Sequence, residues 1–126
     1  MQSVKNTELI RTSCSWDGAA LPAYPVGKPE LSIRRLEFPA GVSLGWHHHP
    51  VINYGIVLQG DLTIICQDGT ERTFHEGEVL VEMVNTIHRG ENRGTRPVVL
   101  LMFYAAAEAD EVTIQHPEIP IHHSHC

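Results

Sequence analysis

Turn signals recur at short intervals through the middle of this chain, and that recurrence limits the fold more than any other feature. Pro39-Ala40-Gly41, Gly60-Asp61, Asp68-Gly69, Glu76-Gly77 and Asn92-Arg93-Gly94 separate brief segments rich in β-branched and aromatic residues. Turns about eight to twelve residues apart are what a β-sandwich or barrel requires. From Leu31 the pattern has period two: Leu31, Ile33, Arg35 and Glu37 alternate with Ser32, Arg34, Leu36 and Phe38. No segment carries a convincing apolar helix period. The expected strands cover 31–38, 42–48, 53–59, 61–67, 70–75, 78–82, 87–91 and 97–104. Asp68-Gly69 reads as a two-residue type I′ hairpin loop. Ala105–Asp110 reads as one short helical turn, followed by a last strand near Val112–Ile114.

Residues 1–30 differ from this pattern. Asp17-Gly18 marks a turn, and Pro22, Pro25 and Pro29 exclude a helix. This stretch reads as an extended arm lying on the barrel or on a partner subunit, anchored by Trp16 and Tyr24, with disorder as the alternative. The expected organisation is an arm at 1–30, a barrel at 31–114 and a Pro-interrupted tail at 115–126. At 126 residues one core suffices without disulfides.

Charge and cysteine usage narrow the function classes. Nine Lys and Arg against fifteen Asp and Glu give a net charge of −6, which argues against a nucleic-acid partner. The apolar runs fall short of the roughly 20 residues that a membrane span needs. No basic region followed by an apolar run marks a signal peptide. Three cysteines, Cys14, Cys66 and Cys126, form no CxxC pair, and Cys66 sits in an apolar run. They read as reduced thiols of a cytoplasmic protein.

Histidine is the outlier, with nine residues, six of them in two clusters: His47, His48 and His49, then His122, His123 and His125. In Gly41-Val-Ser-Leu-Gly-Trp-His47-His48-His49-Pro50, alternation along a strand puts His47 and His49 on one face and His48 on the other. Two imidazoles so spaced can hold one ion with nitrogens at about 2.0–2.1 Å. Pro50 ends the strand because it cannot donate to the ladder.

The wider spacing resembles a known family. Gly41, five residues, His47, one residue, His49, three residues, Asn53, six residues and Gly60 match the first signature of the cupin superfamily. Gly77, five residues, Met83, one residue, Asn85, two residues, His88, three residues and Asn92 match the second. The resemblance covers about 31 to 104. It is similar also to a group of small single-domain bacterial cupins through His49-Pro50, Val57-Leu58-Gln59-Gly60, Asp68-Gly69, His88-Arg89-Gly90 and Val98 to Tyr104. It implies an all-β, double-stranded β-helix or jelly-roll barrel. It also implies one divalent transition metal (Fe, Mn, Ni, Cu or Zn) held inside by His47, His49 and His88.

Two departures bear on the site. Asn53 stands where the family has a ligating Glu, so Asn53 is either a weak ligand or a hydrogen-bond partner for water or substrate. Met83 and Asn85 stand where the family has Pro and Gly, and Asn tolerates the left-handed turn. Glu82 occupies a position that the family keeps apolar and interior. A carboxylate there is costly unless paired or bound to a cation, which makes Glu82 a candidate fourth ligand or general base. The alternative is a solvent-facing Glu82 or one paired to an Arg.

The resemblance further implies a small-molecule substrate and oxygenase-like or isomerase-like chemistry, with a non-catalytic binding or sensing module as the competing class. A homodimer is expected, with the arm covering an open sheet edge of a neighbour. Tyr54, Met83, Phe103 and Tyr104 are candidates for the cavity lining, with plain core packing as the alternative. Arg89 and Arg93 are candidates for selecting an anionic substrate, against solvated loop charges. His48 reads as a surface residue. The tail His122, His123, His125 and Cys126 has metal-ligand types that suit adventitious binding.

Overall fold

The computed structural model describes residues 3–121, and the C-terminal His cluster falls outside them. Among the described residues nine strands form: β1 (Pro29–Phe38), β2 (His47–His48), β3 (Ile52–Gln59), β4 (Leu62–Cys66), β5 (Glu71–Phe74), β6 (Val79–Val81), β7 (His88–Glu91), β8 (Val98–Ala107) and β9 (Ile114–Gln115). No helix forms among the described residues. The strands build two antiparallel sheets, ordered β1-β8-β3-β6 and β5-β4-β7-β2-β9. This is the all-β barrel expected from the turn spacing, in the jelly-roll form that the resemblance implies.

The core follows from strand alternation. On the first sheet Leu100, Met102 and Tyr104 of β8 face the same side as Leu36 and Phe38 of β1, and the second sheet opposes them with Leu62 and Ile64. These side chains join Val57, Phe74, Leu80, Met83 and Val98 in one buried cluster. Such burial contributes roughly 1.5–3 kcal/mol per large side chain. Gly55 pairs with Met102 across β3 and β8. A Cβ at Gly55 would lie 2.5 Å from the Met102 sulfur and 2.0 Å from the Leu101 carbonyl oxygen. The two strands approach as they do because position 55 carries no side chain.

Four expectations need correction. The Asp68-Gly69 hairpin is not type I′. The Gly69 N–H bonds the Cys66 carbonyl and only Gly69 has positive φ, at 93°. That is a longer loop built on a type I turn with Gly in the left-handed position. The segment from Ala105 is not helical: Ala105, Ala106 and Ala107 continue β8 and pair with Leu31, Glu30 and Pro29. The long partner strand overrides the helix propensity of alanine. The expected strand 42–48 shrinks to His47–His48, with Ser43 making only an isolated bridge to Glu91. The last strand lies at Ile114–Gln115, later than expected.

The arm splits into two kinds of residue. Trp16 is an anchor: its N–H bonds the Val81 carbonyl at 2.9 Å, and its ring meets Phe74 edge-on at 5.9 Å. Cys14 and Ala20 form a bridge that closes the turn carrying it. Tyr24 is not an anchor on this barrel, because it stands exposed.

Candidate metal centre

Three imidazoles converge inside the barrel. His47 lies on β2 directly opposite His88 of β7, and His49 follows one residue past the end of β2. All three are buried. Their ring centroids are 4.6 Å apart for His47–His88, 4.9 Å for His47–His49 and 5.0 Å for His49–His88. Each offers a ring nitrogen, and the three nitrogens lie within 4.8 Å of one another.

The backbone fixes which nitrogen each ring presents. His47 Nδ1 meets the Gly45 carbonyl at 2.8 Å, His49 Nδ1 the Val112 carbonyl at 2.9 Å, and His88 Nδ1 the Thr86 carbonyl at 2.7 Å. A carbonyl only accepts, so each Nδ1 carries the hydrogen and donates. The lone pair of the neutral ring is then on Nε2, the arrangement that ligating histidines adopt. Nε2 of His88 is buried with no hydrogen-bond partner. The chemistry and orientation of this donor set fit a divalent transition ion.

Glu82 sits beside the group. It follows β6 on the opposite sheet, is only 5% exposed, and lines the same cavity. Its Oε2 is 3.4 Å from His88 Nε2, close enough for charge attraction but without hydrogen-bond alignment. Its Oε1 accepts from the Trp16 indole at 3.0 Å and from the Met83 N–H at 3.3 Å. Glu82 therefore neither faces solvent nor pairs with an arginine.

The electrostatics follow from burial and from this neighbourhood. Burial, then repulsion by His88, lowers the pKa of His47. The same causes bring His49 down to about 4. Burial also works against the His88 cation, but the Glu82 carboxylate outweighs it and raises His88. Burial disfavours a charged Glu82 as well, yet His88, His49 and the Trp16 indole hold its carboxyl below the ordinary value. The centre is a carboxylate among imidazoles, a net electron-rich cup.

Asn53 is fully buried, but it does not line the cavity. Its Nδ2 bonds the Val51 carbonyl at 3.0 Å, its carbonyl accepts the Glu82 N–H at 2.9 Å, and its Oδ1 has no partner. Asn85 adopts φ of 64°, the left-handed turn that Gly would otherwise supply. Its N–H bonds the His49 carbonyl at 2.8 Å and so ties the second motif to the first.

The cavity measures about 260 Å³ and is mostly apolar. Of the aromatic and Met candidates, Tyr104 lines it. Tyr54 and Phe103 instead stack on each other at 5.7 Å on the outer face, and Met83 is core, touching Cys66. Arg89 bonds Ser43 and Glu91 and lies over the Trp46 ring, while Arg93 bridges Glu71 and Glu91. Neither lines the cavity. The basic residue that does is Arg34, with Thr113 and Gln115 among the polar neighbours. The inward row Ser32, Arg34, Leu36, Phe38 was the signal that could have singled out Arg34. His48 is half-buried and bonds His116 at 2.7 Å, outside the three-histidine group.

The fold and site define an all-β barrel with an internal histidine centre. The Cupin domain family model matches residues 34–104, more than half of the sequence, and the chain belongs to the cupin family. Solved structures share the fold. A cupin-like protein from Thermotoga maritima is 17% identical with a TM-score of 0.60, over 68% of this chain and 64% of that one. A Cupin 2 conserved barrel domain protein from Salinispora arenicola is 22% identical with a TM-score of 0.55, over 71% and 72%. A DMSP lyase from Ruegeria pomeroyi is 18% identical with a TM-score of 0.58, over 68% of this chain and 42% of its own. The chain thus spans less than half the length of that enzyme. Comparison with curated protein sequences gives no match.

Proposed function

We propose that this chain is a metal-dependent cupin that acts on a small molecule inside its barrel. One observation carries the reading: three buried imidazoles have Nδ1 committed to backbone carbonyls, so their free nitrogens face one another. His47, His49 and His88 would hold one ion of the Fe, Mn, Ni, Cu or Zn type. Bound there, such an ion would supply Lewis-acid activation of a chelating substrate or, if redox-active, oxygen chemistry.

The chain's own groups do the rest. Glu82 is the candidate fourth ligand or general base, since one oxygen is held by Trp16 and the other faces the imidazoles. Asn53 enters as a hydrogen-bonding residue behind Glu82, with a free Oδ1 to hold water. The apolar wall of Leu36, Leu62, Ile64, Leu100 and Met102 excludes bulk water and strengthens each charge interaction at the centre.

The partner reading is a homodimer. β1 is an edge strand, and Leu31 and Ile33 on its outer face are 75% and 66% exposed beside the Tyr54–Phe103 stack. The buried free thiol of Cys66 supports a cytoplasmic, reducing compartment. No described helix is long and apolar enough to cross a membrane.

Metal analysis of the tag-free protein tests the reading. About one transition ion per chain is expected. His88→Ala should lose it, and His48→Ala should keep it. A wild-type protein that stays metal-free after incubation with Fe(II), Mn(II), Ni(II), Cu(II) and Zn(II) in turn would overturn the proposal.

A further inference from the structure

The cavity has two polar poles, and the reading above uses one of them. The histidine–Glu82 centre is the first. The apolar part of the wall is Leu36, Phe38, Leu62, Ile64, Leu100 and Met102, and Tyr104 neighbours both poles, its ring centroid 5.8 Å from that of His49. The second pole is Arg34, the only Lys or Arg that lines this cavity among the described residues.

Arg34 reaches the cavity because β1 alternates. It stands one inward position before Leu36 and pairs across the ladder with Met102. Its guanidinium carbon lies 5.4 Å from the centroid of the Tyr104 ring. Stacking of this kind holds the plane of the group while leaving its N–H fork free. Arg72 likewise stacks on a ring, that of Phe74, but lines no part of this cavity, and several other basic residues are engaged differently. Lys28, Arg35, Arg89, Arg93 and Arg96 each have a carboxylate within ion-pair distance. Arg34 has none among the described residues. Glu30, Asp110 and Glu111 line a neighbouring cleft that also includes Arg34 and Thr113, without pairing to Arg34.

A cation at the edge of a mostly apolar cavity, with no protein partner for its five donors among the described residues, matches a planar oxyanion. We propose that Arg34 is a specificity residue that binds the carboxylate of a small monocarboxylic acid, whose apolar body fills the cavity and whose far end reaches the histidine centre. The three carboxylates of the neighbouring cleft disfavour an anion there, which leaves the histidine cavity as the place where Arg34 would hold it. The volume of about 260 Å³ fits a short-chain acid rather than a long one. The inference rests on the proposed metal function only for what happens at the far end. The carboxylate pole stands by itself.

Isothermal titration with acetate, butyrate and hexanoate, and with butyramide as the uncharged match, tests it. Metal-loaded and metal-stripped protein are both titrated, with metal content measured on the same samples. Butyrate should bind more tightly than butyramide. Arg34→Gln should weaken butyrate about tenfold or more, leave butyramide unchanged, and leave metal content unchanged. Arg34→Lys, which keeps the charge but loses the fork, should fall between. Because Arg34 is exposed and outside the core, these variants should fold, which circular dichroism checks. Equal binding of butyrate to wild type and Arg34→Gln would overturn the inference, as would no binding of any of the three acids. An Arg34-dependent preference in both samples, with no uptake of any of the five ions by the protein offered metal, would sustain the inference while sinking the metal reading.

Discussion

The indole nitrogen of Trp16 donates to Oε1 of Glu82 at 3.0 Å, joining the N-terminal arm to the histidine centre across 66 positions of sequence. The same tryptophan packs edge-on against Phe74. It thus holds the carboxylate with its nitrogen and the core with its ring. The arm is a structural part of the site for at least this one residue.

Trp16→Phe separates the two roles. Phenylalanine can keep the contact with Phe74 but has no donor, so Glu82 Oε1 retains only the Met83 N–H. Leaving a buried carboxylate oxygen short of a donor costs about 1–3 kcal/mol. Urea unfolding of metal-stripped protein should show a loss of that size. The loss should shrink when Glu82→Gln is added, because the neutral amide demands less of its surroundings.

Acid should weaken the metal-stripped protein. His49 is brought down to about 4, below the ordinary value of 6.5, mainly by burial. Between those values the unfolded chain binds a proton that the folded one refuses, so stability falls as pH drops from 6.5 towards 4. The shift corresponds to a loss on the order of 3 kcal/mol at its limit. Glu82 acts in the same sense, since a carboxyl held below its ordinary value stabilises at higher pH and stops doing so as pH falls through its folded pKa. His88 is raised and acts oppositely, its contribution fading as pH rises. Urea midpoints in a chelator should therefore drop from pH 7 to 4.5, and His49→Gln should flatten the slope.

Gly55→Ala should be far more damaging than a one-carbon change suggests. The new Cβ would meet the Leu101 carbonyl at 2.0 Å, and a backbone atom cannot swing aside as a side chain can. β3 and β8 would have to part where Gly55 pairs with Met102. Overpacking of this kind costs roughly 1–3 kcal/mol or more. Thermal unfolding measures it directly. Gly69→Ala should cost less, because a Cβ there meets nothing within 4 Å and only the left-handed backbone resists.

Thiol chemistry should distinguish the two described cysteines. Burial first, then the charges of Asp68, Asp17 and Glu82, push Cys66 up to about 11. At pH 7.5 its thiolate fraction is about a hundredfold below that of an ordinary thiol, and the side chain is buried besides. Iodoacetamide followed by peptide mapping should label half-buried Cys14 and spare Cys66 until the protein is unfolded.

Much of this architecture is legible in the sequence because it rests on local chemistry. Turn residues and period-two alternation announce the strands, the H-x-H spacing announces two rings on one face, and the resemblance to the cupin signatures adds His88 to them. Asn85 shows the strength of such reasoning: the expected left-handed residue has φ of 64°. What the sequence hides is the outcome of long-range competition. Ala105–Ala107 extend β8 because β1 offers ten paired partners. Tyr54 and Phe103 look like cavity residues but face outward, since which face is inner depends on a partner strand. The Trp16–Glu82 bond and the freedom of Arg34 depend on elements far apart in sequence, and no local pattern encodes them. Arg89 and Arg93 look available until Glu71, Glu91 and Ser43 are brought beside them.

Rings tethered to main-chain carbonyls behave as a gauge of fixed span. Turning any of the three to present its other nitrogen would break a hydrogen bond that ties the ring to the backbone. For the ion proposed above, the cup could then neither contract nor spread at little expense, so choice among similar ions would fall to the dimensions set when the sheets pack. Substitutions in Gly45, Thr86 or Val112 that shift those carbonyls would retune that choice without altering a single donor atom.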